Sequence, residues 1–300
     1  MKLTFATRPS ALARWQTHWV IQALRQAWPD LECREEIITT KGDRVLDRPL
    51  PEIGGKGLFT QELEAELLSG RVQAAVHSLK DLPVENPPGL VIGAIPARAE
   101  ARDVLISAQD YNLDTLPEGA RLGTSSLRRA AQLLDYRPDL SILTLRGNVD
   151  TRLRKAREGQ YEAIVLAGAG VTRLGLEAAV TQWLPLEVML PAPGQGALAV
   201  QCRADDPETL RLLAAIEDET TRLATRAERA FLQGLGGGCS LPIAAFAILA
   251  GDEIDLRGMA ASADGKRVVR VHGQGPEPEA LGMHLAETAL EQGAGELIHG

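Results

Sequence analysis

Short apolar strands alternate with amphipathic helices through the first two-thirds of the chain, and this alternation leaves few folds open to it. The strand LTFAT (3–7) precedes a helical pattern over 11–27, and AAVHS (74–78) follows a second helical pattern. The alternation restarts with RLGTS and the helix SLRRAAQLLDY. Because parallel strands need crossover connections, the pattern predicts an α/β fold with a largely parallel sheet.

The last part of the sequence has a different character. AAFAILAGDEIDLRGMAAS and KRVVRVHGQG read as antiparallel strands joined by tight turns, and the helix PEALGMHLAETALEQ follows them. This order predicts a small α+β domain after the α/β region. A chain of 300 residues has room for two or three domains of common size.

The composition argues against several classes of protein. A formal net charge of −8 disfavours general binding to nucleic acid or anionic membranes. The start of the chain lacks the apolar segment of a signal peptide, and the apolar stretch 241–250 is shorter than the roughly 20 residues of a membrane span. The three cysteines are scattered and no HxxxH pair occurs, so we expect neither disulfides nor a metal site, and a cytoplasmic protein.

Polar and basic side chains cluster in the turns that follow strands. In open parallel sheets, ligands bind beyond the carboxyl ends of the strands, where helix N-termini offer free amide donors. Arginine pairs bidentately with carboxylate or phosphate, so several such turns together predict a ligand with many carboxylates, whereas any one arginine alone is more simply a solvated surface group. The side chains in question are Arg8, Ser10, Ser78, Lys80, Asp81, Thr124, Ser125, Ser126, Arg128, Arg129, Arg146, Asn148 and Arg152, with Gly147 beside them.

Arg128 and Arg129 pose an electrostatic problem of their own. They lie in the first turn of a predicted helix, where the helix dipole disfavours positive charge. The arrangement therefore calls for an anion close by. We expect that anion to be a bound ligand, with the conflict left unrelieved in its absence.

Two further residues could carry chemistry. Asp81 is an acid among basic turns, where it could stabilise a developing cation or move protons; a helix cap or a salt bridge is an equally good interpretation. Cys239 follows three glycines, which indicates a sharply bent loop, although a buried structural cysteine is the commoner outcome. The spacings of a P-loop, a dinucleotide-binding turn and a G-x-S-x-G elbow are absent from the sequence.

Seven segments, in order and along most of the chain, resemble the porphobilinogen deaminase family. The segments are ATRPSALA, IGGKGLFTQELE, AVHSLKDLP, GTSSLRR, LRGNVDTRL, LPAPGQGALA and GGGCSLPI. The resemblance implies a transferase of tetrapyrrole (porphyrin and heme) biosynthesis, also called hydroxymethylbilane synthase. Such an enzyme condenses four porphobilinogen molecules head to tail, releases ammonia at each step and hydrolyses the product to linear hydroxymethylbilane.

The resemblance also implies an architecture. It predicts two α/β domains similar to periplasmic binding proteins, two crossover segments and a small C-terminal α+β domain that carries the cysteine loop. The crossings fall near residues 97 and 197. Domain 1 is then 1–96 with 197–216, domain 2 is 97–196, and domain 3 is 217–300.

Residue roles follow from the same resemblance. A dipyrromethane cofactor is expected on Cys239 through a thioether, and Asp81, together with Arg8, is expected to be catalytic, Asp81 by stabilising the azafulvene cation formed when ammonia leaves. The residues expected to hold the cofactor are Lys80, Asp81, Thr124, Ser125, Ser126, Arg128, Arg129, Arg146 and Gly147. Those expected to bind substrate are Arg8, Ser10, Phe59, Ser78, Arg152 and Arg173.

The alternative from another class is a non-catalytic module whose two lobes close on a polycarboxylate. Cys239 and Asp81 argue against it, because a pure binder needs no such cysteine and an aspartate would repel an anionic ligand. The partner expected in either case is a small molecule, porphobilinogen for the enzyme, with no nucleic acid or membrane and with the chain as a monomer.

Overall fold

The computed structural model describes residues 2–44, 57–237 and 241–299. In chain order its strands are β1 Lys2–Thr7, β2 Glu32–Ile37, β3 Ala74–Ser78, β4 Leu90–Ala94, β5 Asp103–Ile106, β6 Arg121–Gly123, β7 Ser141–Leu143, β8 Ala163–Ala167, β9 Gln182–Trp183, β10 Leu198–Arg203, β11 Ile243–Ala250, β12 Glu253–Ala261 and β13 Val268–Gly275. Its α-helices are α1 Ala11–Ala27, α2 Lys41–Arg44, α3 Gln61–Leu68, α4 Leu127–Tyr136, α5 Val149–Arg157, α6 Gly168–Arg173, α7 Pro207–Leu213, α8 Glu219–Gly234, α9 Pro278–Glu291 and α10 Ala294–His299.

The chain forms two compact units. Unit 1 consists of 1–98 and 197–222, and unit 2 consists of 99–196 and 223–300. The chain therefore leaves unit 1 after Arg98 and returns to it at Ala197, close to the predicted crossings near 97 and 197. A separate third domain over 217–300 stays a prediction.

Unit 1 is built on a five-stranded sheet with the order β2-β1-β3-β10-β4. β1 is parallel to both β2 and β3, whereas β10 runs antiparallel between β3 and β4. Helix α1 packs on one face, where Val20 and Leu24 join the buried Phe5. Leu63 and Leu67 of α3 pack with Ala75 on the other face, so that helices cover both sides of the sheet.

Unit 2 repeats this plan with the order β7-β6-β8-β5-β9. β6 is parallel to β7 and β8, and β5 runs antiparallel between β8 and β9. The same unit contains a three-stranded antiparallel sheet, β11-β12-β13, whose Ala244 and Met259 pack against Ala131 of α4. The predicted α/β class with a small C-terminal α+β part is confirmed.

Most predicted elements occur where the pattern placed them, with differences at some boundaries. The segment EEIITT (35–40) also predicts a strand, but the strand of the structure is Glu32–Ile37, because β2 pairs with β1 along its whole length, from Lys2 opposite Glu32 to Thr7 opposite Ile37. The segment TRLGL (172–176) predicts a helical turn, whereas the helix of the structure, Gly168–Arg173, begins earlier. Across the described ranges, no helix has the length and apolar character to cross a membrane.

Candidate functional site

In each unit, the parallel strands carry their following turns to one edge of the sheet. β1, β2 and β3 of unit 1 end at Thr7, Ile37 and Ser78. The residues that follow these strands are Arg8, Ser10, Thr40, Asp43, Lys80 and Asp81. We call them, with Ser78 and Phe59, the unit 1 group. Arg8, Lys80 and Asp81 therefore lie beyond the carboxyl ends of parallel strands, as the sequence predicts.

The planar guanidinium group of Arg8 is held along one edge by Asp43 and on one face by Phe59. Its Nε donates a hydrogen bond to Asp43 Oδ2 at 3.2 Å, and its Nη2 donates to Asp43 Oδ1. The guanidinium carbon lies 4.1 Å from the centroid of the Phe59 ring, within range of a cation–π interaction. The ring itself packs so closely on Gly42 that a β-carbon there would overlap it.

Asp43 is fixed in turn by Thr40. The Thr40 hydroxyl and backbone N–H both donate to Asp43 Oδ2, at 2.7 and 3.1 Å. Burial acts to raise the pKa of Asp43, but the hydrogen bonds from Arg8 and Thr40 outweigh it and lower the pKa overall. Asp43 is therefore ionised at neutral pH, where it forms an ion pair with Arg8.

Asp81 contrasts with Asp43. It ends a single turn of 3-10 helix, Leu79–Asp81, directly after β3, and its side chain is exposed. Across 2–44, 57–237 and 241–299, no hydrogen bond or ion pair engages its carboxylate. Within these described ranges, neither a capping role nor a salt bridge accounts for Asp81, and its exposed carboxylate is open to a ligand.

The remaining members of the unit 1 group have structural partners. Ser10 caps α1 by accepting a hydrogen bond from the Ala13 backbone N–H. Ser78 Oγ accepts one from Gln16 Nε2 at 2.8 Å. Lys80 is half-buried and also has interactions of its own.

The carboxyl ends of the parallel strands β6, β7 and β8, which we call the unit 2 edge, lie beside a buried carboxylate. Asp103 is fully buried at the start of β5, and Arg128 and Arg129, at the start of α4, are 4 % and 6 % exposed. Arg128 Nη2 donates to Asp103 Oδ2 and Arg129 Nη2 to Asp103 Oδ1, both at 2.8 Å. Gln195 Nε2 adds a third hydrogen bond, to Oδ1 at 2.9 Å.

These contacts correct the expectation drawn from the helix dipole. The anion beside Arg128 and Arg129 is part of the protein, so the conflict is already relieved by Asp103 and does not wait for a ligand. Burial nonetheless lowers the pKa of Arg128; Asp103 opposes that effect and the neighbouring Arg129 adds to it.

The serine and threonine of the same turn shape the start of α4. Ser126 is the N-cap, and its side chain accepts from the Arg129 backbone N–H. Thr124 Oγ1 accepts from the Ser126 N–H at 3.2 Å, and Ser125 Oγ donates to the Leu145 carbonyl at 2.8 Å. Ser125 ties this turn to the one that follows β7.

The other predicted residues of unit 2 lie beyond β7 and β8. Gly147 has a φ of +115°, which favours glycine, and its carbonyl accepts from Arg152 Nε at 2.7 Å. Arg146 is half-buried next to it. Arg173 is buried, donates from Nη2 to the Gly196 carbonyl at 2.7 Å, and has its pKa lowered by burial to about 10.

Sequence reasoning missed Asp43, Asp103 and Gln195. Asp43 could have been found as the acid three residues after a threonine beyond a strand. Asp103 could not, because it starts its strand, and it reaches the carboxyl edge only because β5 runs antiparallel to β8, with Asp103 opposite Ala167. Cys239, the predicted attachment point, lies outside the described residues.

The fold and these turns define an α/β protein that presents basic, hydroxyl and amide groups at the carboxyl ends of its parallel strands, an arrangement suited to an anionic ligand. A family model described as "Porphobilinogen deaminase, dipyromethane cofactor binding domain" matches residues 3–211. A second, "Porphobilinogen deaminase, C-terminal domain", matches 222–291.

Curated relatives agree with the family models. Porphobilinogen deaminase of Brevibacillus brevis is 52 % identical over 298 residues, which cover 99 % of this chain and 96 % of the relative. That of Roseiflexus sp. is 52 % identical over 299 residues, covering 99 % of each. The chain therefore belongs to the porphobilinogen deaminase family, and dipyrromethane is the cofactor of the matched domain. This membership does not favour the non-catalytic binding module.

Solved structures with a similar fold include two from periplasmic proteins. The periplasmic VFT2 domain of BvgS from Bordetella pertussis has a TM-score of 0.43 at 16 % identity, covering 72 % of this chain and 86 % of that one. A periplasmic sulfonate-binding protein, SsuA, from Methylobacillus flagellatus has a TM-score of 0.43 at 11 % identity, covering 75 % and 68 %. The fold assignment rests on the strand order and register described above.

Proposed function

We propose that this protein condenses four porphobilinogen molecules head to tail and hydrolyses the product to linear hydroxymethylbilane. In each condensation, the bond between the aminomethyl carbon and nitrogen breaks, ammonia leaves, and that carbon bonds to a pyrrole carbon that loses its proton. Water then releases the finished chain. The observation that carries the proposal is the full-length match to the family, including the domain that binds the dipyrromethane cofactor.

Asp81 is the residue to which we assign the chemistry. Its carboxylate is exposed, has no partner within the described ranges, and lies beside Lys80 at the end of β3. A carboxylate in that state can face the positive charge that develops on the substrate methylene as ammonia leaves, and can hydrogen-bond the pyrrole N–H. Arg8, held by Asp43 and Phe59, is the second catalytic candidate.

The residues of unit 2 have the donors and the charge that a carboxylate-bearing cofactor requires. A dipyrromethane carries acetate and propionate groups, and Arg129 Nε is a buried donor with no acceptor among the described residues. Two guanidinium charges also exceed the single Asp103 carboxylate between them. An additional carboxylate would satisfy both the donor and the charge.

We assign cofactor binding to Lys80, Asp81, Thr124, Ser125, Ser126, Arg128, Arg129, Arg146 and Gly147, and covalent attachment to Cys239 through a thioether. When bound, the dipyrromethane supplies the pyrrole carbon to which the first substrate is joined. The protein's own groups bind its carboxylates and fix its orientation. Substrate binding is assigned to Arg8, Ser10, Phe59, Ser78, Arg152 and Arg173.

Intact-protein mass spectrometry tests this assignment. The purified full chain should exceed its polypeptide mass by two linked pyrrole units, and peptide mapping should place that excess on Cys239. Cys239→Ser should lack it, while Cys202→Ser, a change at a buried cysteine whose pKa burial raises to about 11, should keep it. A full chain with no added mass after incubation with porphobilinogen would overturn the proposed function.

The setting of the reaction belongs to the same proposal. We place the protein in the cytoplasm as a monomer that acts on a small molecule, with neither nucleic acid nor a membrane as partner. The net charge of −8 supports the last point, because anionic polymers and surfaces repel such a chain. Sedimentation of the purified chain at a mass of 32.2 kDa would test the monomer.

A further inference from the structure

Asp103 is the most enclosed charged group of the unit 2 edge, and the function assigned above does not use it. Its side chain is fully buried, where an isolated carboxylate would be costly. Hydrogen bonds from Arg128, Arg129 and Gln195 are among the contacts that offset this cost. Gln195 also donates to the Ala101 carbonyl at 2.7 Å, so the amide that orients the carboxylate is itself anchored.

Each guanidinium is fixed at two points. Arg128 bonds Asp103 Oδ2 through Nη2 and the Leu190 carbonyl through Nη1. Arg129 bonds Asp103 Oδ1 through Nη2 and the Val165 carbonyl, at 3.2 Å, through Nη1. The Nη1 atom of each arginine thus donates to a backbone carbonyl, whereas the Nη2 atoms of both arginines donate to the same carboxylate, that of Asp103. One side chain therefore sets the relative orientation of both cations.

The charges of the cluster formed by Arg128, Arg129 and Asp103 also indicate that Asp103 holds the two arginines in place. Two adjacent guanidinium groups repel each other when buried, and without Asp103 they would carry two unbalanced positive charges. With Asp103 the described cluster keeps one excess positive charge, and Arg129 Nε remains a donor without an acceptor. The arginines are thus held in place without being fully neutralised.

We propose that Asp103 is a positioning residue for cofactor binding: it aligns Arg128 and Arg129 so that their remaining donors and charge receive a carboxylate of the dipyrromethane. Asp103 itself does not touch that group. This role rests on the proposed function, because it presumes that the two arginines bind the cofactor. It differs from a purely structural role, which would affect the stability of the protein and leave cofactor loading by the folded molecules unchanged.

Loading of the cofactor-free protein separates these roles. The full chain is produced in cells that cannot make porphobilinogen, folded material is confirmed by a cooperative unfolding transition, and porphobilinogen is added at graded concentrations. The fraction that carries the cofactor is read by intact-protein mass. We expect Asp103→Asn to raise by about tenfold the concentration of porphobilinogen that loads half of the protein within a fixed incubation time.

Asp139→Asn is the matched control. Asp139 also pairs with two nitrogens of one arginine, Arg137, but it is partly exposed and lies beyond the opposite end of α4. It should load at the wild-type concentration. Asp103→Glu, which keeps the charge but moves it by one methylene, should fall between the wild type and Asp103→Asn.

Half-loading of folded Asp103→Asn at the wild-type concentration would overturn the inference. If that variant does not fold, Gln195→Ala takes its place, since it keeps all three charges and removes one hydrogen bond that orients Asp103. It should raise the half-loading concentration about threefold, on the scale of a single weak hydrogen bond, and an unchanged value would equally overturn the inference. Failure of the proposed function is a separate result, in which the wild type gains no mass.

Discussion

The Arg8 guanidinium lies over the Phe59 ring at 4.1 Å while its edge is paired with Asp43. Ring and carboxylate hold different sides of the group, so Arg8 presents its remaining donors in one orientation before any ligand arrives. Such pre-orientation removes an entropic cost from binding.

We predict that Asp43→Asn raises the KM for porphobilinogen about tenfold, with a smaller effect on kcat, because a hydrogen bond between charged groups contributes about 1.5–3 kcal/mol. Steady-state kinetics would measure the split between KM and kcat. Glu66→Gln, which breaks the ion pair with Arg71 away from the strand ends, is the control and should leave both unchanged. An unaltered KM in Asp43→Asn would show that Asp43 does not position Arg8 for substrate.

Asp81→Asn should keep the folded structure and lose nearly all turnover. The exposed carboxylate of Asp81 has no partner in the described parts of the chain, so its removal leaves no buried group unsatisfied and should change the unfolding midpoint little. Release of ammonia from porphobilinogen measures turnover, and thermal unfolding measures stability. Turnover at the wild-type rate would remove Asp81 from the mechanism.

Arg128→Leu should destabilise the protein, although it removes a cation from the start of a helix. The helix dipole would favour the substitution by at most about 1 kcal/mol at ordinary sites. Arg129 still balances the Asp103 charge in this variant, but the buried Asp103 Oδ2 and the buried Leu190 carbonyl each lose a donor. A buried acceptor left without its donor costs about 1–3 kcal/mol, so the two losses together outweigh the helix-dipole gain. Chemical denaturation would measure the free energy of unfolding, with Arg154→Leu as the control. Arg154 forms an exposed ion pair with Glu158, so its replacement should change stability by less than about 1 kcal/mol.

His77 makes stability depend on pH. Burial lowers its pKa from 6.5 to about 4, so between these values the unfolded chain binds a proton that the folded protein does not. Stability from this group is therefore complete above pH 6.5 and is lost as the pH falls towards 4, by about 3 kcal/mol in total. His77→Gln should flatten the pH dependence of unfolding in this window, whereas the exposed His284→Gln should reproduce the wild-type curve.

Gly196→Ala should cost more than an ordinary glycine replacement. Gly196 has a φ of +87°, and a β-carbon there would lie 2.5 Å from the Ala99 carbonyl oxygen. Gly119 has a φ of +71° with nothing within 4 Å of that position. Gly119→Ala should therefore lose about 1 kcal/mol from backbone strain alone, and Gly196→Ala about 3 kcal/mol, measured by denaturation. Equal losses would mean that the backbone near Ala99 can move aside.

Local pattern predicted the elements of this fold well. The helix over 11–27 and the strand over 74–78 have the predicted bounds, because each carries its own periodicity and its own stop signals. The turns with Arg8, Asp81 and Ser126 follow strands as predicted, since the carboxyl ends of parallel strands share an edge.

Strand direction was beyond the reach of the sequence. A short apolar run has the same pattern in either direction, so nothing in DVLI indicated that β5 runs antiparallel and carries Asp103 to the edge where Arg128 begins α4. For that reason, the prediction that a bound ligand supplies the anion beside the two arginines was wrong. It depends on a contact between residues 25 positions apart, and only the fold determines such a contact.

The place of β10 in the unit 1 sheet has a consequence for synthesis. This strand lies between β3 and β4, yet it follows all strands of the β5–β9 sheet in the chain. While the chain emerges from the ribosome, the β5–β9 sheet has all its strands by residue 183, whereas the sheet begun by β1 lacks an inner strand until residue 203. We therefore expect the sheet that contains β1 to be completed after the β5–β9 sheet, although β1 to β4 are translated before β5, with the facing edges of β3 and β4 unpaired in the interval.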